Sequence, residues 1–157
     1  MAIEKVKDYF ARWGMQDKIM EFEVSSATVE LAAQALHCEG ARIAKTLSFL
    51  VGEESVLVVA AGDARVDNHK FKETFGVKAK MIPGDQVEER IGHAVGGVCP
   101  FGVNDGVKVF LDESLRRFDT VYPACGSSNS AIQLTVAELE KYAAAQSWVD
   151  VCKDWDP

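Results

Sequence analysis

The chain has 157 residues, 48% hydrophobic and 26% charged, the balance of an ordinary globular domain, and a single domain over 1–157 is expected. Its formal net charge of −7 argues against a protein that coats DNA or other nucleic acid through bulk electrostatics, although local contact stays open. No 18-residue apolar run offers a transmembrane helix, and Cys38, Cys99, Cys125 and Cys152 are too scattered for a disulfide frame or a zinc site.

Met1–Asp8 is charged and amphipathic rather than a signal peptide, so a cytoplasmic protein is the expectation. Ile3, Val6, Phe10 and Trp13 recur at helical spacing, with Gly14 as the stop. Met20, Phe22 and Val24 alternate with Glu21 and Glu23, which predicts a half-buried strand. Ser25–Thr28 offer N-caps for a helix through Leu31, Ala32, Ala35 and Leu36, ended by Glu39-Gly40. Ile43–Val51 and Val56–Ala61 are apolar runs flanking Gly52-Glu53-Glu54-Ser55, which predicts a hairpin.

Further on, a helix is expected from Asn68 to Phe75 and stops at Gly76, then a short strand over 77–82. Pro83-Gly84-Asp85, with Glu88, marks a capped helix start, and Gly92 its end. After a glycine-rich loop, Val107–Leu111, Thr120–Tyr122 and Ala131–Leu134 read as strands. Thr135-Val136-Ala137-Glu138 has the capping-box pattern at a helix start. Trp148, Val149, Val151 and Trp155 belong to a tail that packs back on the body. Strands and helices mix without a βαβ rhythm, so the expected class is α+β with one mixed sheet.

The chemistry-bearing features are few. Lys45 stands inside the apolar strand Ile43–Val51, where a lysine must either snorkel out or face an anion. Gly96-Gly97-Val98-Cys99-Pro100-Phe101-Gly102 lacks both the G-x-G-x-x-G and the Gly-Lys-Ser/Thr signatures. It remains a loop that lets another molecule approach its backbone, whose N–H groups can donate to an oxyanion. Cys99 with His93 raises the possibility of a thiol nucleophile, against the plainer reading of a small packed side chain. Cys125–Ser130 is a polar turn. Lys70, Lys72, Lys78 and Lys80 form a basic stretch, with Arg42, Lys45 and Arg65 earlier. No paired carboxylates and no metal-ligand pattern are present, and no cofactor is called for.

In order, Val29–Ala33, Ile43-Ala44-Lys45-Thr46-Leu47, the Gly96-to-Pro100 G-x-x-x-P loop with Phe101-Gly102, Val109–Ser114 and Gly126–Thr135 resemble the YbaK family, which includes the editing domain inserted in many bacterial prolyl-tRNA synthetases. The resemblance covers roughly 22–139. It implies a barrel-like mixed sheet flanked by helices and an aminoacyl-tRNA deacylase that acts in trans on a mischarged tRNA. The partners it implies are the aminoacylated tRNA 3′ end and an aminoacyl-tRNA synthetase, with no membrane. By the same resemblance Lys45, Gly96 and Gly97 carry the catalysis. Phe22, Ser26, Thr28, Thr46, Val98, Cys99, Pro100, Phe101, Gly102, Gly126, Ser127 and Ser128 contact substrate.

The family uses no protein nucleophile; water or a substrate hydroxyl or thiol attacks. Ser25-Ser26 replace a frequent arginine, Ser127-Ser128 replace the basic residues of the cysteine-specific branch, and Ala131 stands near where that branch has an acidic residue. A small residue such as alanine, serine or 2-aminobutyrate on proline tRNA is therefore the expected substrate. The competing reading is a non-catalytic module of the same fold that binds a tRNA end, a nucleotide or a synthetase.

Overall fold

The computed structural model describes residues 2–155; Met1 and residues 156 and 157, the outer ends of the expected domain, lie outside the described residues. The organising element is β3 (Glu54–Ala61), whose residues Val56 to Ala61 are all buried. An apolar run of that length survives only where both faces of a strand are covered. On one side β3 pairs antiparallel with β2 (Ile43–Val51), from Ala44↔Ala61 to Val51↔Glu54. On the other it pairs parallel with β5 (Lys108–Asp112).

The sheet continues outward through β6 (Thr120–Pro123) and β8 (Leu134–Thr135) beside β2, and through β9 (Ser147–Val149) beside β5. The result is a curled, mixed six-stranded half-barrel in an α+β fold. Two short antiparallel pairs sit at its margins. One joins β1 (Met20–Glu21) to β7 (Ser130–Ala131), and the other joins β4 (Arg65–Val66) to β10 (Cys152–Lys153).

Among the described residues, five α-helices flank the sheet. Helix α1 (Ala2–Ala11) buries Ile3, Val6 and Phe10 along one stripe, as the i, i+3, i+7 spacing requires. Helix α2 (Val29–Leu36) starts where the Thr28 hydroxyl accepts from Leu31 N at 3.1 Å. Asp67 caps α3 (Asn68–Phe75) through the amides of His69 and Lys70, and Gly76 ends it with φ 79°. Helix α4 (Gly84–Ile91) stops at Gly92, and α5 (Val136–Tyr142) opens with a complete Thr135/Glu138 capping box.

Several expected elements differ. The strand predicted through Val24 stops at Glu21, because Phe22 bonds to the Asn129 backbone and Val24 is left 62% exposed. The strand over 77–82 is one isolated bridge, Phe49↔Met81. Residues 131–134 split between β7 and β8, which belong to different sheets. No side chain caps α4: Asp85 lies in its first turn and Pro83 occupies the cap position. Helix α2 ends at His37 in a left-handed conformation, φ 55°, ahead of Glu39-Gly40.

Candidate active-site cleft

A cleft of about 320 Å³ opens over β2 between the start of α2, the start of α4 and the 95–98 loop. Lys45, Thr46, Ser26, Thr28, Gly96 and Val98, all singled out in the sequence, contribute to its lining. Ser48 lies two residues beyond Thr46 on the same strand and lines it too, as the period of two dictates. Most of the wall is small and apolar: Ala32, Ile43, Ala44, Val87 and Ala131. Among the described residues, Lys45 is the one charged side chain in the lining, which contains no carboxylate, imidazole or thiol.

Lys45 is half-buried. Its Nζ donates to the Ala64 carbonyl and, at 3.4 Å, to the Gly62 carbonyl. An ammonium has three protons, so one donor stays available to a ligand. Burial lowers its pKa from the usual lysine value, and the charge of Arg65 acts in the same direction. Among the described residues, the hydroxyl of Thr46, next along the strand, is buried with no partner. A buried hydroxyl left this way costs roughly 1–3 kcal/mol.

The glycine loop divides into parts with different tasks. Gly96 is exposed and holds φ 93°, a region glycine enters without penalty. Among the described residues, the amides of Gly96 and Val98 have no acceptor. Gly97 corrects an expectation. Its N–H already donates to Ala94 O at 3.0 Å, so it is not free to meet a substrate oxygen. Its lack of a side chain matters for packing, since a Cβ there would sit 2.8 Å from the Gly126 carbonyl carbon and 2.9 Å from Ser127 Cα.

Gly126, Ser127, Ser128 and Phe22 stand behind the cleft wall rather than in it. Ser26 N donates to Ser128 O at 2.6 Å, Phe22 N to Asn129 O at 2.8 Å, and Asn129 Nδ2 back to Phe22 O at 2.9 Å. The 22–28 segment is thereby clasped to the 126–130 turn, which fixes the entry angle of α2.

The rest of the loop leaves the cleft. Phe101 is fully buried with its ring 4.7 Å from that of Phe10, so α1 anchors the loop from beneath. Pro100 and Gly102 line a separate hollow of about 550 Å³ with Lys5, Tyr9, Arg12 and Asn104. Cys99 is fully buried, and burial pushes its thiol up to about 12. Its neighbour His93 uses Nε2–H to donate to Phe101 O at 2.7 Å, so that nitrogen cannot take a proton from the sulfur 3.5 Å away. The thiol-nucleophile reading fails on both counts. Of the residues expected to contact substrate, Cys99 and Phe101 turn their side chains into the core, and Pro100 and Gly102 line the other hollow.

The sequence reading missed the contributions of Ile82 just before α4, of Gly84 and Val87 within it, of Tyr122 and Ala124 near the end of β6, and of Ser130 at β7. Only the position of Ser48 was recoverable, from strand alternation. The others depend on how the sheet curls.

The fold is a curled mixed half-barrel whose cleft carries a lysine and bare loop amides. The chain belongs to the aminoacyl-tRNA editing domain family, whose model matches residues 23–142. It is 50% identical over 157 residues to the uncharacterized protein YwhH of Bacillus subtilis (strain 168), covering 99% of this chain and all of that one. A segment of proline–tRNA ligase from Lactiplantibacillus plantarum is 24% identical over 125 residues, which is 79% of this chain and 22% of the ligase. Among solved structures, a candidate trans-editing enzyme for prolyl-tRNA synthetase superposes with a TM-score of 0.87 at 29% identity, over 97% of each chain. No described helix is long and apolar enough to cross a membrane.

Proposed function

We propose that the whole chain acts as one trans-editing domain, a deacylase that hydrolyses the ester of a mischarged tRNA, with proline tRNA carrying a small non-cognate amino acid as substrate. The observation that carries this reading is the cleft lining: one lysine, bare amides at Gly96 and Val98, and, among the described residues, no thiol and no carboxylate or imidazole to activate its hydroxyls. Such a lining polarises and positions an already labile ester without attacking it.

The ester carbonyl oxygen meets the amides of Gly96 and Val98, which stabilise the oxyanion as the carbonyl becomes tetrahedral. Each such donor is worth about 10²–10³ in rate. The free donor of Lys45 holds the terminal adenosine or its phosphate as a point charge. Water, oriented by the free ribose hydroxyl of the substrate, forms the new bond to the ester carbon as the bond from that carbon to the ribose oxygen breaks. The ribose oxygen leaves with the proton. Thr46 Oγ1 accepts from the α-ammonium group, which satisfies the buried hydroxyl. The alanines of the wall leave room for a small side chain, where one methylene separates amino acids by about 1–3 kcal/mol. The likeness to a ligase segment supports proline tRNA as the carrier and a synthetase as a further partner.

A second reading keeps the same site without turnover, as a binding module for tRNA ends, and the internal bonds of Lys45 give it some footing. The test is multiple-turnover release of labelled amino acid from proline tRNA charged with alanine, serine, cysteine, 2-aminobutyrate, threonine or proline. Release of one or two small residues with proline spared is expected. Binding without release from any of them would replace the enzyme by the module.

A further inference from the structure

Arg65 in β4 stands directly opposite Lys153 in β10. Like charges facing each other across an antiparallel pair destabilise it, and both side chains are exposed. Among the described residues, neither forms an ion pair or a side-chain hydrogen bond. Three nearby carboxylates have other hydrogen-bond partners, although the charge of Lys153 also reaches Asp67. Asp63 forks onto Arg117, with Nη1 at 2.9 Å and Nη2 at 2.5 Å. Asp67 accepts the α3 amides of His69 and Lys70, and Asp150 takes Lys70 Nζ at 3.1 Å.

This cationic pair is continuous with the cleft. Lys45, in the cleft wall, grips the carbonyls of Gly62 and Ala64, the residues that lead into Arg65. Lys70 Nζ donates to Cys152 O at 3.0 Å, beside Lys153. A file of three cations, Lys45, Arg65 and Lys153, flanked by Lys70 in its ion pair with Asp150, thus leads out from the cleft in a chain whose net charge is −7. A polyanion whose end enters the cleft must cross the rim somewhere, and an acidic surface repels it elsewhere.

We propose that the β4–β10 pair is the track for the acceptor-strand phosphates of the tRNA whose aminoacylated end occupies the cleft. The inference rests on the deacylase reading and adds where the nucleic acid lies. Phosphate between Arg65 and Lys153 removes their mutual repulsion, which explains how a ladder pairs two like charges.

The test is the double variant Arg65→Gln/Lys153→Gln, with binding of fluorescently labelled, uncharged proline tRNA measured across a salt series. Removing two phosphate contacts lowers the slope of log K against log salt by about 1–2. Lys18→Gln/Lys141→Gln, which removes the same charge from other elements, leaves the slope unchanged. Relief of the like-charge pair leaves Tm equal to or above wild type, so a folding defect does not confuse the result. KM for full-length mischarged tRNA rises about tenfold, while hydrolysis of a short aminoacylated trinucleotide ending in adenosine stays at the wild-type rate.

An unchanged slope, an equal loss in the control pair, or equal damage to both substrates overturns the track. So does loss of synthetase capture with tRNA binding intact, which would make the surface a protein dock. If the wild-type protein hydrolyses neither substrate, the deacylase reading fails, and the binding series still decides whether phosphates use this face.

Discussion

The ammonium of Lys45 is bound twice to its own chain and once, in this account, to substrate. Replacing it therefore has two separable effects. Lys45→Ala leaves the Gly62 and Ala64 carbonyls without their donor, and the expected loss is about 1–3 kcal/mol of stability in a protein that still folds, read by urea denaturation. Deacylation should fall to background in the same variant. Cys99 is expected to be silent: with its thiol pushed up to about 12, it holds almost no thiolate at pH 8. Iodoacetamide should leave it unmodified in the folded protein, and Cys99→Ala should retain activity. His93 gives a pH signature. Burial holds its imidazole below its ordinary 6.5, so the unfolded chain takes up the proton first as pH drops. Stability is then level above about pH 6.5 and declines below it until the folded imidazole also protonates. The urea midpoint should fall between pH 7 and pH 5, and His93→Gln, which keeps a donor for Phe101 O, should flatten that decline.

The 96–98 loop works because another loop backs it. A Cβ on Gly97 would meet three backbone atoms of Gly126 and Ser127 at 2.8–2.9 Å, and backbone cannot step aside as a long side chain does. Gly97→Ala should cost about 1–3 kcal/mol and at least tenfold in deacylation, measured by denaturation and single-turnover release; wild-type values in both would show that the two loops are independent. How far the elements were legible follows from the same physics. The β2–β3 hairpin, α3 with its Gly76 stop and the Thr135 capping box could be read because their signals are local: unbroken apolar runs, a left-handed glycine, a hydroxyl three residues from an amide. Residues 77–82 and 131–134 could not, since their apolar side chains serve single bridges or two different sheets, a matter of tertiary pairing. At the site, the place of Lys45 in the cleft lining was legible from an apolar strand broken by a lysine, whereas Thr46 came only with the family resemblance. Assigning Cys99, Phe101 and Gly102 to substrate treated the loop as one surface, whereas Phe101 turns inward to pack on Phe10. Neither the committed amide of Gly97 nor the part played by α4 has a sequence signature.

As a whole the molecule is acidic, with a net charge of −7, so recognition of tRNA has to be local. Affinity for uncharged tRNA should be weak and fall at least tenfold between 50 and 200 mM salt, on the order expected for a few phosphate contacts; tight binding that ignores salt would mean a different kind of interface. The half-barrel contributes rigidity. With β3 buried along Val56–Ala61, a Leu57→Ala cavity should cost roughly 2–5 kcal/mol and leave the specificity of any folded fraction unchanged. The most direct test of the central claim, that a positioning cleft rather than a protein nucleophile cleaves the ester, is multiple-turnover release of alanine from alanylated proline tRNA by wild type, Cys99→Ala and Lys45→Ala side by side. The account predicts equal rates for the first two and background for the third. Loss of activity in Cys99→Ala, full activity in Lys45→Ala, or no release by wild type from any small-residue ester would contradict it.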